Sequence, residues 1–265
     1  MILKEGKIFR LVSDKGEAGW SGEVNLIVYN GKKYVLRRCA DVKRAKRYQK
    51  ISRELEKHGF LPKLLYRIGK DVIYEYIEGR DLKKKESLKV IRQIGVICAH
   101  INKIKRRGNF DRRFKKHLSI VAKAKNPLIS KTEIKEVLRI YFNLKRKLKP
   151  LTRLDGNDLN HENFRLKKGK VYFVDVEAIS PRIELFGTGK AFLKWFTDKM
   201  EQQVFMKGYT SVKSASFFTE DYRDLVNLAY LTQELAYSHI YGKKFKPRYK
   251  TRVQELRRLL KKYPK

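Results

Sequence analysis

Three side chains that offer oxygen ligands occur in an order that suits phosphoryl transfer. Asn163 follows Asp158 after four intervening residues, and Asp175 comes at the end of the apolar run 171–174. A carboxylate can accept the proton of an attacking hydroxyl, while an amide oxygen and a second carboxylate can hold Mg²⁺ against the phosphates of ATP. The pattern predicts Asp158 as the catalytic base and Asn163 and Asp175 as metal ligands.

A purely structural interpretation of the same residues is the alternative. Asp and Asn side chains commonly cap turns through hydrogen bonds to the neighbouring backbone, and Asp175 could simply end a strand. The catalytic interpretation gains support if the N-terminal half of the chain carries features of a nucleotide-binding lobe.

A glycine-rich segment near the N-terminus approximates the loop that covers the phosphates in kinases. Gly19, Gly22 and Val24 match that loop, whereas Glu17 replaces its first glycine. We expect Gly19 and Gly22 to contribute to nucleotide binding, with an ordinary glycine-rich hairpin turn as the alternative.

Arg37 ends the strand-like run 34–37, at the place where kinases carry a phosphate-binding lysine. We expect Arg37 to bind the phosphates, and a surface strand residue beside Arg38 is the alternative.

In kinases an acid on a helix pairs with the phosphate-binding cation. Glu54 is our choice for this acid, with Glu56 or no such pair as the alternatives.

The elements that must position these residues follow from the hydrophobic pattern. Over residues 1–79, β-rich runs surround one helix, and Asn30-Gly31 predicts a two-residue hairpin turn. After Ser87 the apolar spacing becomes helical, with single helices predicted over 132–148, 190–205 and 220–241. This order predicts an α+β, bilobal fold, with a nucleotide-binding N-lobe at 1–79 and a catalytic C-lobe at 80–265.

Longer stretches of the chain resemble the aminoglycoside phosphotransferase and choline kinase-like family. The resemblance rests on 54–66, on 73–82 and on the segment from Asp158 to Asp175. It implies a protein kinase-like fold that binds ATP in the cleft between its lobes. It also implies that the Glu75 carbonyl and the Ile77 amide bind the adenine edge, behind Tyr74 as gatekeeper.

The sequence departs from this family immediately before the catalytic residue. Gly156-Asn157 precede Asp158 where the family usually has His-Gly. No required chemical group is lost, yet the departure argues against a standard antibiotic kinase.

Positive charge is the strongest feature of the composition. The chain has 64 Lys and Arg against 28 Asp and Glu, a net charge of +36. Residues 80–150 contain 23 basic and 5 acidic residues, and 243–265 contain 11 and 1. Such a one-sided charge points to a polyanionic partner and disfavours a cationic substrate.

Aromatic residues alternate with these basic residues, a composition that suits RNA because cations bind phosphates and rings stack on bases. A solvated face of a thermophilic protein and an anionic membrane surface are the alternatives. The candidate RNA-binding residues are Lys103, Lys105, Arg106, Arg107, Arg112, Arg113, Lys115, Lys116, Lys243, Lys244 and Arg248.

A strongly basic kinase of this size resembles the archaeal RNA kinases that phosphorylate a ribose 2′-hydroxyl in tRNA. This resemblance implies ATP and Mg²⁺ as cofactors and tRNA as partner. Two alternatives stay open: a small-molecule or anionic-lipid kinase of the same fold, and a non-catalytic RNA-binding pseudokinase.

Other classes of protein are disfavoured by simple counts. Two cysteines, Cys39 and Cys98, exclude a disulfide scaffold and are expected to be small buried hydrophobes. No apolar run approaches the ~20 residues that span a bilayer, and the N-terminus lacks a signal-peptide pattern. We therefore expect a cytoplasmic protein without a membrane or protein partner, from a thermophilic source.

Overall fold

The N-lobe is built on one antiparallel sheet. The computed structural model describes residues 7–10, 22–125, 127–241 and 246–264. Five strands lie in the order β1-β2-β3-β5-β4. Their bounds are β1 (Lys7–Arg10), β2 (Gly22–Tyr29), β3 (Lys32–Cys39), β4 (Leu64–Ile68) and β5 (Asp71–Glu75).

The turn between β2 and β3 confirms the predicted hairpin. Asn30 and Gly31 both have positive φ, at 47° and 70°. That pair of conformations matches the right-handed twist of the flanking strands, and Asn and Gly adopt it at least cost. The turn fixes the register at Tyr29 opposite Lys32, and the same register carries Arg37 along β3 toward the cleft.

One helix, α1 (Val42–Leu55), packs against this sheet. The Asp41 carboxylate caps its first turn by accepting from the Arg44 amide at 2.7 Å. Ala45, Tyr48 and Leu55 are buried on its inner face. A 3₁₀ turn, Glu56–His58, follows the helix and ends at Gly59, whose φ is 63°.

The C-lobe combines seven helices with two small sheets in the described part of the chain. The helices are α2 (Leu88–Asn102), α3 (Phe110–Ala122), α4 (Lys131–Leu148), α5 (Phe186–Lys194), α6 (Lys199–Thr210), α7 (Glu220–Tyr241) and α8 (Lys246–Lys261). The sheets pair β7 (Thr152–Gly156) with β10 (Ile179–Ile183), and β6 (Arg80–Asp81) with β8 (Phe164–Lys167) and β9 (Lys170–Phe173). This architecture confirms the α+β, bilobal prediction.

The single helix predicted over 190–205 is wrong, because the chain forms α5 and α6 with a break between them. Trp195 and Phe196 are buried at that break. Asp198 then starts α6, and its carboxylate accepts from the Met200 amide at 2.7 Å. An N-cap bond of this kind satisfies a helix-terminal N–H and so favours a new start over continuation. No helix of the described residues could cross a bilayer.

Helices α2 and α6 of the C-lobe pack closely against each other. A Cβ atom at Gly95 would lie 2.1 Å from the Phe205 carbonyl oxygen, and one at Gly208 would lie 2.1 Å from the Arg92 carbonyl oxygen. The absence of a side chain at each glycine thus allows the backbone of the other helix to approach closely. Helix α2 also contacts β7, the strand that leads to Asp158.

A buried polar network joins α2 to β7 and α5. Asn102 donates through Nδ2 to the Leu154 carbonyl at 2.8 Å and to Asp155 at 3.0 Å. The Gly187 amide donates to the other Asp155 oxygen at 2.7 Å. Burial raises the pKa of Asp155 to about 6, although these hydrogen bonds act in the opposite direction.

We predict that Gly95→Ala lowers the free energy of unfolding by roughly 2 kcal/mol. Overpacking against a backbone carbonyl outweighs the ~1 kcal/mol that alanine gains in helix propensity. Urea unfolding measures the change, with the exposed Ser119→Ala substitution in α3 as control. Equal or greater stability of the Gly95 variant would show that α2 and α6 separate without cost.

The Asp155 carboxyl predicts a pH dependence of stability. Its pKa is higher in the folded state than the ordinary 3.8, at about 6. Its stabilising contribution is therefore complete below pH 4 and is lost as the pH rises through 6. The difference in unfolding free energy between the natural protein and Asp155→Asn should shrink by roughly 3 kcal/mol over that window. A difference that is constant from pH 4 to 7 would contradict this prediction.

Candidate active site

The loop after β7 brings Asp158 and Asn163 together. The Asn160 amide donates to the Asp158 carbonyl at 2.9 Å, and the Asn163 amide donates to the Asn160 carbonyl at 3.0 Å. The Asn163 side chain closes the loop through Nδ2, which donates to the Asp158 carbonyl at 2.8 Å. Because its backbone is held at both ends, the loop presents the Asp158 carboxylate outward with 44% of the side chain exposed.

Asp175 lies beside this loop through a backbone contact. The Val174 amide donates to the Asn163 carbonyl at 2.9 Å. Asp175 Oδ1 is buried and accepts no hydrogen bond. Since Asn163 donates through its nitrogen, its side-chain oxygen and the Asp175 carboxylate are both candidate hard ligands. That donor set fits Mg²⁺, which prefers one or two protein oxygens together with phosphate oxygens.

Arg37 reaches across the cleft to the acids of the C-lobe. Its Nη1 lies 3.3 Å from Asp175 Oδ1 and forms a second ion pair with Glu177. The guanidinium is largely covered, with 16% of the side chain exposed. The structure therefore joins Arg37 with Asp175 and Glu177, two partners that the sequence analysis did not name for it.

The predicted pair of Arg37 with Glu54 is not present. Both Glu54 oxygens contact Nη2 of Arg106 instead. Arg106 lies in the connection after α2 and forms an ion pair with that carboxylate. Glu56, the other choice, is exposed at the end of α1.

Lys190 is a site residue that the sequence analysis missed. Its ammonium contacts the Asp158 carboxylate, and 16% of its side chain is exposed. The N-terminal turn of α5 is held by the Gly187 bond to Asp155, so the buried network places Lys190. Local sequence offers no signal for it among 64 basic residues.

A cavity of about 140 Å³ lies between the lobes next to Arg37. Its walls are mainly apolar and include Val24, Val35 and Val176. Glu75 and Ile77, the predicted adenine contacts, line the same cavity. Tyr74 also lines the cavity. This residue is buried, and its hydroxyl lies 3.4 Å from Ser52 Oγ. Burial raises the pKa of Tyr74 to about 12.

Two nucleotide-binding candidates and three RNA-binding candidates lie at or beyond the edges of the described residues. Gly19 lies outside the described residues, and Gly22 is described only as the first residue of β2. Lys243 and Lys244 also lie outside the described residues, and Arg248 is described only as part of the α8 backbone.

The other basic residues form a surface on the far side of β7. Lys103, Lys105, Arg106 and Arg107 occupy the connection between α2 and α3, and Arg112, Arg113, Lys115 and Lys116 lie on α3. Two open cavities of about 460 and 640 Å³ share Arg107, Gly108 and Thr152 in their walls. We call the walls of these two cavities the basic groove; they include Lys105, Arg106 and Arg107 but not Lys103 or the four basic residues of α3.

The groove retains unbalanced charge because only some of its cations meet acids. Arg106 pairs with Glu54, and Lys145 pairs with Asp111. Within the described part of the chain, the Lys105 and Arg107 side chains contact no carboxylate. The geometry thus separates a phosphate-type site at the cleft from a cationic surface at the other end of β7.

Comparison with known proteins supports the fold. No family model and no curated protein matches the sequence. Among solved structures, the chain is similar to the choline kinase LicA from Streptococcus pneumoniae, with 19% identity over 97% of this chain and 94% of that chain and a TM-score of 0.70. It is also similar to an ethanolamine kinase from Plasmodium vivax, with 13% identity, 95% and 82% coverage and a TM-score of 0.71.

A third similar structure is the macrolide 2′-phosphotransferase MphH from Brachybacterium faecium, with 12% identity, 93% and 90% coverage and a TM-score of 0.63. These proteins share both lobes with the present chain. The chain therefore has the bilobal, kinase-like fold of the choline kinase and aminoglycoside phosphotransferase type.

Proposed function

We propose that the chain is an ATP-dependent kinase that phosphorylates an internal ribose 2′-hydroxyl of tRNA. ATP would lie in the interlobe cavity, with its adenine against Glu75 and Ile77 and its phosphates toward Arg37. The neighbouring structures are named as kinases and a phosphotransferase, which supports phosphoryl transfer as the reaction class.

Each polar side chain of the site has a task in such a transfer. Asp158 orients the attacking hydroxyl and accepts its proton, because its carboxylate is exposed at the mouth of the cleft. Arg37 offers its guanidinium to the phosphates. Asn163 and Asp175 would hold Mg²⁺, which offsets the negative charge of the phosphates when it is bound. Lys190 orients the Asp158 carboxylate through their ion pair.

The charge beside Asp158 bears on the acceptor. Choline and ethanolamine, named for two of the neighbours, are cations. In the present chain Lys190 neutralises Asp158, so this carboxylate offers a cationic acceptor no net attraction. An acceptor hydroxyl on a neutral or anionic molecule fits this environment better.

The single observation that carries the choice of RNA is the basic groove at the far end of β7. The strand runs from Thr152, in the groove, to Gly156, two residues before Asp158. Its four residue steps span roughly 13 Å. A polyanion that bridges this distance can contact the groove and the active site together, whereas a small metabolite cannot.

The position of the acceptor hydroxyl follows from the chemistry of RNA. The 3′ and 5′ oxygens of an internal nucleotide are part of phosphodiesters, so the 2′-hydroxyl is its one remaining ribose hydroxyl. A tRNA offers such hydroxyls in a compact body whose phosphate backbone a basic protein can bind.

A small-molecule or anionic-lipid kinase is the second candidate. The observation that favours it is that the similar solved structures are named for small acceptors such as choline. In that case the groove would serve another anion. A non-catalytic RNA-binding protein is the third outcome that the following experiment distinguishes.

We predict that the natural protein, with Mg²⁺ and γ-labelled ATP, transfers label to total tRNA. Asp158→Ala should reduce the transfer at least about a hundredfold, because the base is lost. The melting temperature and ATP affinity of the variant should match the natural protein. Choline, anionic metabolites and anionic lipid vesicles are tested as parallel acceptors.

The labelled product decides between the three candidates. Label in tRNA from the natural protein alone supports the RNA kinase, and nuclease mapping then locates the phosphate. Label only in choline, a metabolite or a lipid contradicts it. Binding of tRNA without transfer to any acceptor would indicate a pseudokinase.

The basic groove gives a second prediction. Replacing both Lys105 and Arg107 with Glu should weaken tRNA binding about tenfold or more at low salt. The slope of log Kd against log salt should also become shallower by on the order of 1 for each of the one to two phosphate contacts that are lost. ATP binding should be unchanged. The matched control replaces Lys131 and Lys135, at the opposite end of α4 from Lys145, with Glu. Equal losses in both double variants would contradict a localised site.

A further inference from the structure

The phosphate-binding cation of this chain is held in an unusual way. Arg37 projects from β3 into the cleft and contacts two acids of the segment after β9, Asp175 and Glu177. We infer that Glu177 is the positioning residue that holds the Arg37 guanidinium for the ATP phosphates. The inference rests on the proposed binding of ATP in the interlobe cavity, and it assigns to Glu177 the task that the sequence pattern gives to an acid on α1.

The acid on α1 is unable to perform this task in the observed arrangement. Glu54 is the acid of that helix that the sequence analysis chose, and both of its oxygens contact Arg106. Both contacts go to Nη2 of Arg106, so the charge of Glu54 is already compensated by another arginine. Arg37 contacts Asp175 and Glu177 instead.

Glu177 meets the requirements for that acid. Its side chain is 12% exposed and its Oε2 pairs with Arg37, while its Oε1 is buried without a hydrogen bond. A carboxylate in such surroundings is costly unless a cation compensates it. Arg37 is the cation that the structure supplies, so the two side chains fix each other.

The backbone around Glu177 is rigid enough to position a partner. Glu177 lies in the 3₁₀ turn Val176–Ala178, which the Ala178 amide closes by donating to the Asp175 carbonyl at 3.0 Å. The Asn157 amide donates to the Ala178 carbonyl at 2.9 Å. The turn is thus tied to the catalytic loop, one residue before Asp158.

The different roles of Asp175 and Glu177 explain why position 37 carries an arginine. Asp175 is the candidate metal ligand, and a cation that depended on it alone would compete with Mg²⁺ for the same oxygens. Glu177 takes up part of the guanidinium, whose five donors form a rigid fork. The remaining N–H groups can then face the phosphates. A lysine ammonium is a single point charge and could not hold an acid and present a directed fork at once.

The first test measures ATP affinity with and without Mg²⁺. Glu177→Gln keeps the shape of the side chain and removes its charge, so Arg37 loses its anchor. We expect about tenfold weaker binding of ATP both with Mg²⁺ and with EDTA, and unchanged binding of adenosine, which has no phosphates. Glu54→Gln, the matched change at the acid on α1, should alter ATP affinity less than twofold.

The second test asks whether Glu177 acts through Arg37. Arg37→Gln alone should weaken ATP binding, and Glu177→Gln added to it should cause no further loss. Independent, additive losses would overturn the inference. Thermal melting and adenosine binding of every variant show that the fold is intact, so a loss of ATP affinity in a folded variant reports on the phosphates.

The outcomes separate this inference from the proposed function. If the natural protein binds ATP and Glu177→Gln binds it equally well, Glu177 has no positioning role and the inference fails alone. A loss seen only with Mg²⁺ would make Glu177 a metal ligand and also overturn it. Absence of ATP binding by the natural protein would overturn both. The inference is supported if Glu177→Gln weakens ATP binding both with Mg²⁺ and with EDTA, and if the same change has no effect on ATP binding when Arg37→Gln is already present.

Discussion

Scarcity of acidic side chains is the constraint on which this structure depends. With 64 basic and 28 acidic residues, a carboxylate determines which cation becomes ordered and which stays available to a polyanion. Asp158 orders Lys190 and Glu177 orders Arg37 at the cleft, whereas the groove beyond β7 has fewer acids than cations. The same imbalance that repels within the chain therefore leaves ion-paired cations at the cleft and uncompensated cations in the basic groove.

Local rules predicted much of the architecture from the sequence. Asn30-Gly31 fixed a hairpin because only that turn geometry fits the strand twist, and the φ angles agree. The order of Asp158, Asn163 and Asp175 predicted a shared corner, and backbone hydrogen bonds bring these residues together. These features were accessible because neighbours in the chain, or a short loop, decide them.

The rest depended on contacts between distant segments. The choice of Glu54 failed because Arg106 is 52 residues away in sequence and approaches α1 only in the folded chain. Lys190 lies 32 residues after Asp158 and carries no local signature. The break between α5 and α6 was hidden because Trp195 and Phe196 continue an apolar pattern, and tertiary burial together with the Asp198 cap decides against one continuous helix.

The two cysteines have a practical consequence for studying how the lobes move. Cys39 in the N-lobe and Cys98 in the C-lobe are free thiols with 2% and 4% exposure. Burial raises the pKa of both, so little thiolate forms near neutral pH. The two native thiols of the folded chain should consequently react very slowly with maleimides. A pair of surface cysteines, one on each lobe, could carry fluorophores that report domain closure without prior removal of the native thiols.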